Sequence, residues 1–405
     1  MINEYKSYLE PKFVYIPLTD PTYKIANVKV TEGDTVLIGT VIGYKYKGQI
    51  KLPVVSSVSG TVKGFEELQD RFGKTVDHCV IENNMEDNQI DLKSFENASS
   101  SQVRARIAEL GLEQINVDGI YTPLQFDKPI KHVVVNASFT NEPFLKTDYM
   151  FVNENAENIA NGIELLRVAA NAETVTVIAD KDMEPFAFNS LGEAIVDKNM
   201  QLETVKLLKV NGGDFKVISK LINKPVSPNL LNDGVLYVKV DTAKIIYDAV
   251  VLGKVPNQRQ VAITGDGVKE NVIYDVVVGT KLSEIVEDLG GYNDVEEMVL
   301  HYGSFTTGNQ LTTDNTSITL NVDTINFQEY VELEEEVCTK CGECNDVCPV
   351  GILPQNIMDA EIRNVNERIV DLDTQACIEC GLCTYTCPSN INVLEWVRRA
   401  KRRVG

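Results

Sequence analysis

Two cysteine runs carry the most specific chemistry in this 405-residue chain. The first reads Cys338-Thr-Lys-Cys341-Gly-Glu-Cys344-Asn-Asp-Val-Cys348-Pro349. The second reads Cys377-Ile-Glu-Cys380-Gly-Leu-Cys383-Thr-Tyr-Thr-Cys387-Pro388. Each is C-x2-C-x2-C-x3-C-P, and matching cysteines lie 39 residues apart. Thiolates at this spacing suit [4Fe–4S] ligation. Three of them wrap a short loop around one cube, and the fourth is expected to start a helix that leads to the other. Ligation should therefore cross. Cys338, Cys341, Cys344 and Cys387 would hold one cluster, and Cys377, Cys380, Cys383 and Cys348 the other. Gly342 and Gly381 would let the backbone approach sulfide, while Pro349 and Pro388 turn the chain away.

The spacing is that of two-cluster ferredoxins. Structural zinc uses pairs of C-x2-C and leaves the third cysteine of each run and the proline unexplained. Disulfides need an oxidising compartment, which nothing in the sequence supports. Two close cubes imply one-electron relay, not substrate turnover at a cluster. Of nine cysteines only Cys79 stands apart. It sits in a short apolar strand pattern, His78 to Glu82, and reads as a buried structural thiol.

The rest of the chain must position these loops. Its length exceeds a single core and predicts several domains. Apolar residues make up 43% and charged residues 24%, as in ordinary globular chains. With 38 basic and 59 acidic side chains the net charge is −21, which argues against nucleic acid as a partner. No apolar run reaches the ~20 residues of a membrane span. The start, MINEYKSYLEPK, has no signal-peptide core, so a cytoplasmic location is expected.

Residues 13–82 are strand-length runs of valine, isoleucine and glycine broken by turns. Val28 to Gly43 and Pro53 to Gly64 resemble the barrel-sandwich hybrid of biotinyl and lipoyl carriers. Lys45, Lys47 and Lys51 lack a carrier context, so the domain, residues 1–90, reads as structural. Residues 91–255 form an α/β layer. A helix from Val103 to Leu110 ends at Gly111, and strands His132 to Asn136 and Thr174 to Ala179 flank a helix from about Asn155 to Ala170. Strand, helix, strand predicts a parallel sheet. No G-x-G-x-x-G occurs, and Gly212-Gly213 reads as an isolated turn. Residues 256–327 contain two strands about a turn, then a helix from Leu282 to Leu289. This small β-grasp shape is expected to bury little alone. Residues 328–405 hold the double cluster.

In this order the modules resemble the RnfC family, a component of Rnf-type electron transport complexes, over nearly the whole length. Val255-Pro256 through Asp266 is similar to the soluble-ligand-binding β-grasp (SLBB) of that family, and the tail from Cys338 to Ser389 is similar to its cluster domain. Related chains include the NADH-binding flavoprotein component of respiratory complex I, cobalamin reductases of microcompartments and the electron-transfer protein of proline reductase. The resemblance implies a Rossmann-like layer that binds FMN and NADH, with electrons leaving through the clusters. It further implies a glycine-rich phosphate loop where this chain has Val117 to Leu124. Only Gly119 and Thr122-Pro123 match. A flavin-lining stretch reads Asn136-Ala-Ser-Phe139-Thr-Asn-Glu142-Pro143; Asn136, Ala137, Glu142 and Pro143 match, and Phe139 replaces an acid. The FMN and NADH site, with Gly119, Asn136 and Glu142, thus reads as half erased.

The favoured expectation is an iron–sulfur electron-transfer protein. It would link a flavoprotein, ferredoxin or NADH-linked donor to a soluble reductase or membrane electron transport complex, free or peripheral on the cytoplasmic membrane face. The alternatives are an NADH-dependent oxidoreductase component using FMN, and a non-redox ligand-binding scaffold. The run Glu332 to Glu336 reads as a solvated linker, or else as a dock for a basic partner. In the tail, Ile391, Leu394, Val397, Ala400 and Val404 form an apolar stripe, and Arg398 to Arg403 complement a helix dipole.

Overall fold

The computed structural model describes residues 5–20, 22–115, 122–138, 149–206, 214–303, 308–331 and 333–405. The N-terminal strands are β1 (Tyr5–Tyr8), β2 (Phe13–Pro17), β3 (Ile25–Val28), β4 (Thr35–Val36), β5 (Val41–Lys47), β6 (Ile50–Val55), β7 (Gly60–Gln69) and β8 (Thr75–Asn83). Strands β2, β8, β7 and β4 form one antiparallel sheet, and β3, β5 and β6 another. Val14, Ile42, Val62, Cys79 and Ile81 close the core between them. Cys79 is fully buried and burial pushes its thiol up to about 11, as expected of an inert structural cysteine. Lys45 is tied to Asp20 at 2.6 Å and Lys51 lies over the Tyr44 ring.

The middle segment runs α1 (Ser100–Glu109), β9 (His132–Asn136), α2 (Tyr149–Glu154), α3 (Ala156–Ala170), β10 (Thr174–Asp180), α4 (Pro185–Ile195), β11 (Gln201–Val205), α5 (Phe215–Leu221), β12 (Val235–Lys239) and α6 (Val240–Val250). Ser99 and Gln102 form a reciprocal capping box that starts α1, and Gly111 follows its end in the left-handed region. The predicted parallel sheet is present, in the order β11-β10-β9-β12. Strands β9, β10 and β12 are covered on both faces and read as continuous apolar runs, whereas edge strand β11 is largely exposed. Helices α3 and α6 cross closely, because Gly162 has no Cβ to strike the Ala243 carbonyl.

The third unit comprises β13 (Gln258–Thr264), β14 (Val272–Val277), α7 (Leu282–Asp288), β15 (Met298–Tyr302), β16 (Asn309–Leu311) and β17 (Thr324–Glu329). It buries more than the sequence suggests. Its sheet has six strands, ordered β1-β14-β13-β17-β15-β16. Val261, Tyr274, Leu282, Ile285, Ile325 and Phe327 form an independent core. The sixth strand is β1, which pairs parallel to β14, Tyr5 opposite Ile273. The first residues thus belong to this sheet and not to the barrel that follows them.

The C-terminal unit holds α8 (Glu343–Asp346), α9 (Pro354–Ile362), α10 (Asn366–Asp371), α11 (Leu382–Tyr385) and α12 (Val393–Val404). Leu394, Val397 and Ala400 of α12 face Ile357, Met358 and Ile369, so the predicted apolar stripe is the core contact. Among the described residues no helix is long and apolar enough to cross a membrane.

Candidate functional site

The two cysteine loops are near copies. Lys340 and Glu379, each between the first and second cysteine, both adopt φ of 57°. Gly342 and Gly381 follow with φ of 85° and 80° and cap the one-turn helices α8 and α11. Gly342 is needed for its backbone angle, since a Cβ there would meet no protein atom within 4 Å. The fourth cysteines differ from expectation. Cys348 and Cys387 follow those one-turn helices, and the longer helices start only at Pro354 and Val393.

The fold sorts the eight cysteines into two cavities. One is lined by Cys377, Cys380, Cys383 and Cys348. The other is lined by Cys338, Cys341, Cys344 and Cys387. Each takes three cysteines from one run and the fourth from the other. Among the described residues no group of His, Cys, Asp and Glu side chains could hold a single metal ion. Four cysteines lining each cavity, on short loops with matching left-handed residues, fit a [4Fe–4S] cluster.

The two sets differ in environment. Cys377, Cys383 and Cys348 are buried, whereas Cys341 is exposed and Cys338 and Cys387 are partly so. Burial, reinforced by neighbouring thiols, pushes Cys380 up to about 11 and Cys383 to about 12. Burial also raises Cys344 and Cys377. Thiols are ligands only as thiolates, so cluster loading must release these protons. The Glu379 amide donates to the Cys377 sulfur at 3.4 Å, and Lys401 donates to the Cys377 carbonyl at 2.8 Å.

The basic tail is engaged more specifically than a dipole effect would require. Lys401 and Arg398 both pair with Glu379, at 3.0 and 2.9 Å. Burial opposes ionisation of Glu379, and these two cations overcome it and hold its carboxyl below the usual range. Arg403 reaches Glu361, and Arg399 and Arg402 share Glu395. The acidic run is both linker and surface. Glu336 donates its amide to the Ser389 carbonyl, Asn392 donates to Glu335, and the three carboxylate side chains from Glu334 to Glu336 are exposed.

Val350 and Ile378, close to Cys348 and Cys377 in sequence, pack against an apolar cluster built from strands of the parallel sheet and α5, with Val134, Ile178, Tyr237, Phe215 and Ile218 among its members. The second cysteine set thus abuts the α/β layer. Of the residues expected there, Gly119 and Glu142 lie outside the described residues, as do Phe139, Pro143 and the Gly212-Gly213 pair. Asn136 ends β9 and is buried; its side-chain Oδ1 accepts from Ser138 N at 2.7 Å and its Nδ2 donates to Asp214 at 3.3 Å. Thr122 is buried and bonds both ways with the Tyr237 backbone. Sequence reasoning missed Asp214. It is buried, accepts from the Tyr237 hydroxyl, and is pushed up to about 6 chiefly by burial. Its only signal in the sequence is an acid just before the apolar start of α5.

Comparison with known proteins matches residues 3–86 to the RnfC barrel sandwich hybrid domain and residues 330–388 to a 4Fe-4S dicluster domain. The chain is 28% identical over 360 residues to the C component of the ion-translocating oxidoreductase complex of Haemophilus influenzae, covering 85% of this chain and 43% of that protein. It is 26% identical over 372 residues to the C component of the Na(+)-translocating ferredoxin:NAD(+) oxidoreductase complex of Acetobacterium woodii, covering 88% and 83%. The chain thus spans about half the length of several of the curated relatives it matches. Among solved structures, an NAD+-reducing [NiFe]-hydrogenase in the air-oxidized state aligns with a TM-score of 0.48 and 12% identity, covering 76% of this chain and 63% of that one. The resemblance read from the residues therefore extends over most of the length: the chain is similar to RnfC-type C components, with a match to the RnfC barrel sandwich hybrid domain over 3–86 and to a 4Fe-4S dicluster domain over 330–388, in keeping with two [4Fe–4S] clusters.

Proposed function

We propose that this chain is an iron–sulfur electron-transfer protein, relaying single electrons between a reduced donor (a flavoprotein, a ferredoxin or an NADH-linked carrier) and a partner reductase or membrane electron transport complex. The observation that carries this is the sorting of eight cysteines into two crossed sets, each around its own cavity. When bound, the two [4Fe–4S] clusters supply one-electron chemistry. Cys338, Cys341, Cys344 and Cys387 are assigned to one, and Cys377, Cys380, Cys383 and Cys348 to the other.

The protein's own residues give the pair a direction. Val350 and Ile378 hold the second set against the α/β layer. Exposed Cys341, and Val337 just before Cys338 at 89% exposed, leave the first set open to solvent. That outer end suits a docking partner, and the carboxylates of Glu334, Glu335 and Glu336 favour one with a basic face. Names of the relatives support a place beside a membrane complex, as a peripheral component. We read the parallel layer as Rossmann-like and the six-stranded unit as an SLBB-like β-grasp. Anaerobic reconstitution should give about eight irons per chain; two or fewer would overturn the assignment.

A second reading, NADH oxidation through FMN, is favoured by one feature. The order β11-β10-β9-β12 puts its switch point between β9 and β12, where α/β folds bind nucleotides, and Asn136 stands there. The inward hydrogen bonds of Asn136 speak against it, so the layer is read as a docking scaffold. Acid-released supernatant should then lack flavin fluorescence. A yellow protein whose clusters bleach with NADH would replace the scaffold reading with this one.

A further inference from the structure

The acidic side chains leave one long gap. No Asp or Glu occurs between Asp34 and Glu66, the longest such stretch in a chain of net charge −21, and Lys45, Lys47, Lys51 and Lys63 fall inside it. Strands β5 and β6 of that stretch meet in a tight turn at Gly48 and Gln49, with Gly48 in the left-handed region at φ of 59°. The register puts Lys47 opposite Ile50 and Tyr46 opposite Lys51. On the other side of β5, Ile25 of β3 pairs with Tyr46, so the preceding residue, Lys24, comes beside Lys47. Three exposed lysines thus meet at one end of this sheet, around an Ile50 that is 45% exposed.

The fold does not neutralise these cations. Lys45 is tied to Asp20 and Lys63 to Glu82, whereas Lys24, Lys47 and Lys51 are in no ion pair among the described residues. Lys51 instead lies 3.6 Å from the centre of the Tyr44 ring. Neighbouring strands are about 5 Å apart, and like charges side by side on them are destabilising. An anionic surface offsets that repulsion. Acidic polypeptides and lipid headgroups share the necessary charge, and two features favour lipid. Ile50 stands at the tip between Lys47 and Lys51, where an apolar side chain can enter the acyl boundary while the lysines reach up to phosphates. Tyr44 and Tyr46, half-buried on β5, are of the aromatic type that settles at headgroup level. The acids elsewhere in the chain do not forbid this contact, because charge beyond about 8 Å is largely screened at physiological salt.

We propose that the tip of the β5–β6 hairpin is a membrane contact, which inserts Ile50 among anionic phospholipid headgroups bound by Lys24, Lys47 and Lys51. This deepens the peripheral placement read above, and its test does not depend on electron transfer. The full chain is sedimented with vesicles of phosphatidylglycerol and phosphatidylcholine in equal parts, and with phosphatidylcholine alone. Binding to the anionic vesicles only, weakening as salt rises, is expected. Lys47→Gln and Lys51→Gln should each weaken it roughly fivefold. Both side chains are exposed, so melting temperature and iron content should match the parent. Ile50→Trp should emit at shorter wavelength when anionic vesicles are added, with the parent, whose one tryptophan is Trp396, as the baseline. No binding to anionic vesicles, or binding that both lysine variants keep, overturns the proposal. So does an unshifted emission, which would mean adsorption without insertion. Soluble polyglutamate bound as tightly as the vesicles would make the occupant an acidic polypeptide and overturn it as well. Any of these failures in protein that carries about eight irons per chain leaves the relay reading standing.

Discussion

Lys401 Nζ donates to the Cys377 carbonyl at 2.8 Å and to Glu379 at 3.0 Å, so the last helix places a cation directly behind the second cysteine loop. A positive charge there favours the reduced state of whatever the loop holds. Lys401→Met removes the cation and leaves Glu379 with Arg398 alone. The midpoint potential of the second cluster should fall by tens of millivolts, given an interaction of about 1 kcal/mol at this range in a partly polar medium. Redox titration followed by electron paramagnetic resonance reads the shift. An unchanged pair of potentials would make Lys401 a packing residue only.

Crossed ligation makes an asymmetric prediction from three loop substitutions. Replacing Cys338, Cys341 and Cys344 together by serine should leave about four irons per chain. Adding Cys387→Ser should then cost nothing further, because Cys387 belongs to the set already lost. Adding Cys348→Ser should strip the remaining iron, because Cys348 lines the other cavity. The reverse pattern would mean that each run closes on its own fourth cysteine.

The sequence disclosed what is local and left dark what is long-range. The cysteine spacing puts the first three thiols of each run at one cavity because each loop is only a few residues long, whereas the fourth comes from the other run. Strands β9 and β10 and helix α3 were legible because apolar runs and period-3.6 stripes reflect burial directly. Strand β1 was not legible as part of the third unit, because its partner β14 lies more than 260 residues away and edge pairing leaves no periodicity in four residues. The same holds for Asp214 at the start of α5, whose neighbours Asn136 and Tyr237 come from β9 and β12. The tail bases were legible as helix-end charges. Their pairing with Glu379 and Glu361 depends on how α12 packs across the domain.

The crossing of α3 and α6 hangs on Gly162. A Cβ there would sit 1.8 Å from the Ala243 carbonyl oxygen, which is backbone and cannot swing aside. Gly162→Ala should therefore force the helices apart and destabilise the α/β layer by roughly 1–3 kcal/mol, despite the better helix propensity of alanine. Chemical denaturation followed by circular dichroism measures it. Iron content of freshly reconstituted protein should remain normal, since the cysteine loops lie in another unit. A neutral or stabilising result would show that the layer can slide.

Asp214 predicts a pH dependence of unusual sign for a carboxyl group. Burial, aided by the nearby Asp180 charge, pushes it up to about 6 against an ordinary value of 3.8, while bonds from Tyr237 and Asn136 pull it partly back. Between these two values the folded chain keeps a proton that the unfolded chain releases. Stability contributed by this site is therefore full at pH below about 4, falls as pH rises toward 6, and stays flat above, a loss on the order of 2–3 kcal/mol. Asp214→Asn cannot ionise, yet its carboxamide oxygen can still accept from the Tyr237 hydroxyl. Its melting temperature should match the parent near pH 4 and exceed it at pH 7. Parallel melting profiles for the two proteins across this range would mean that the buried carboxyl is not the group that titrates.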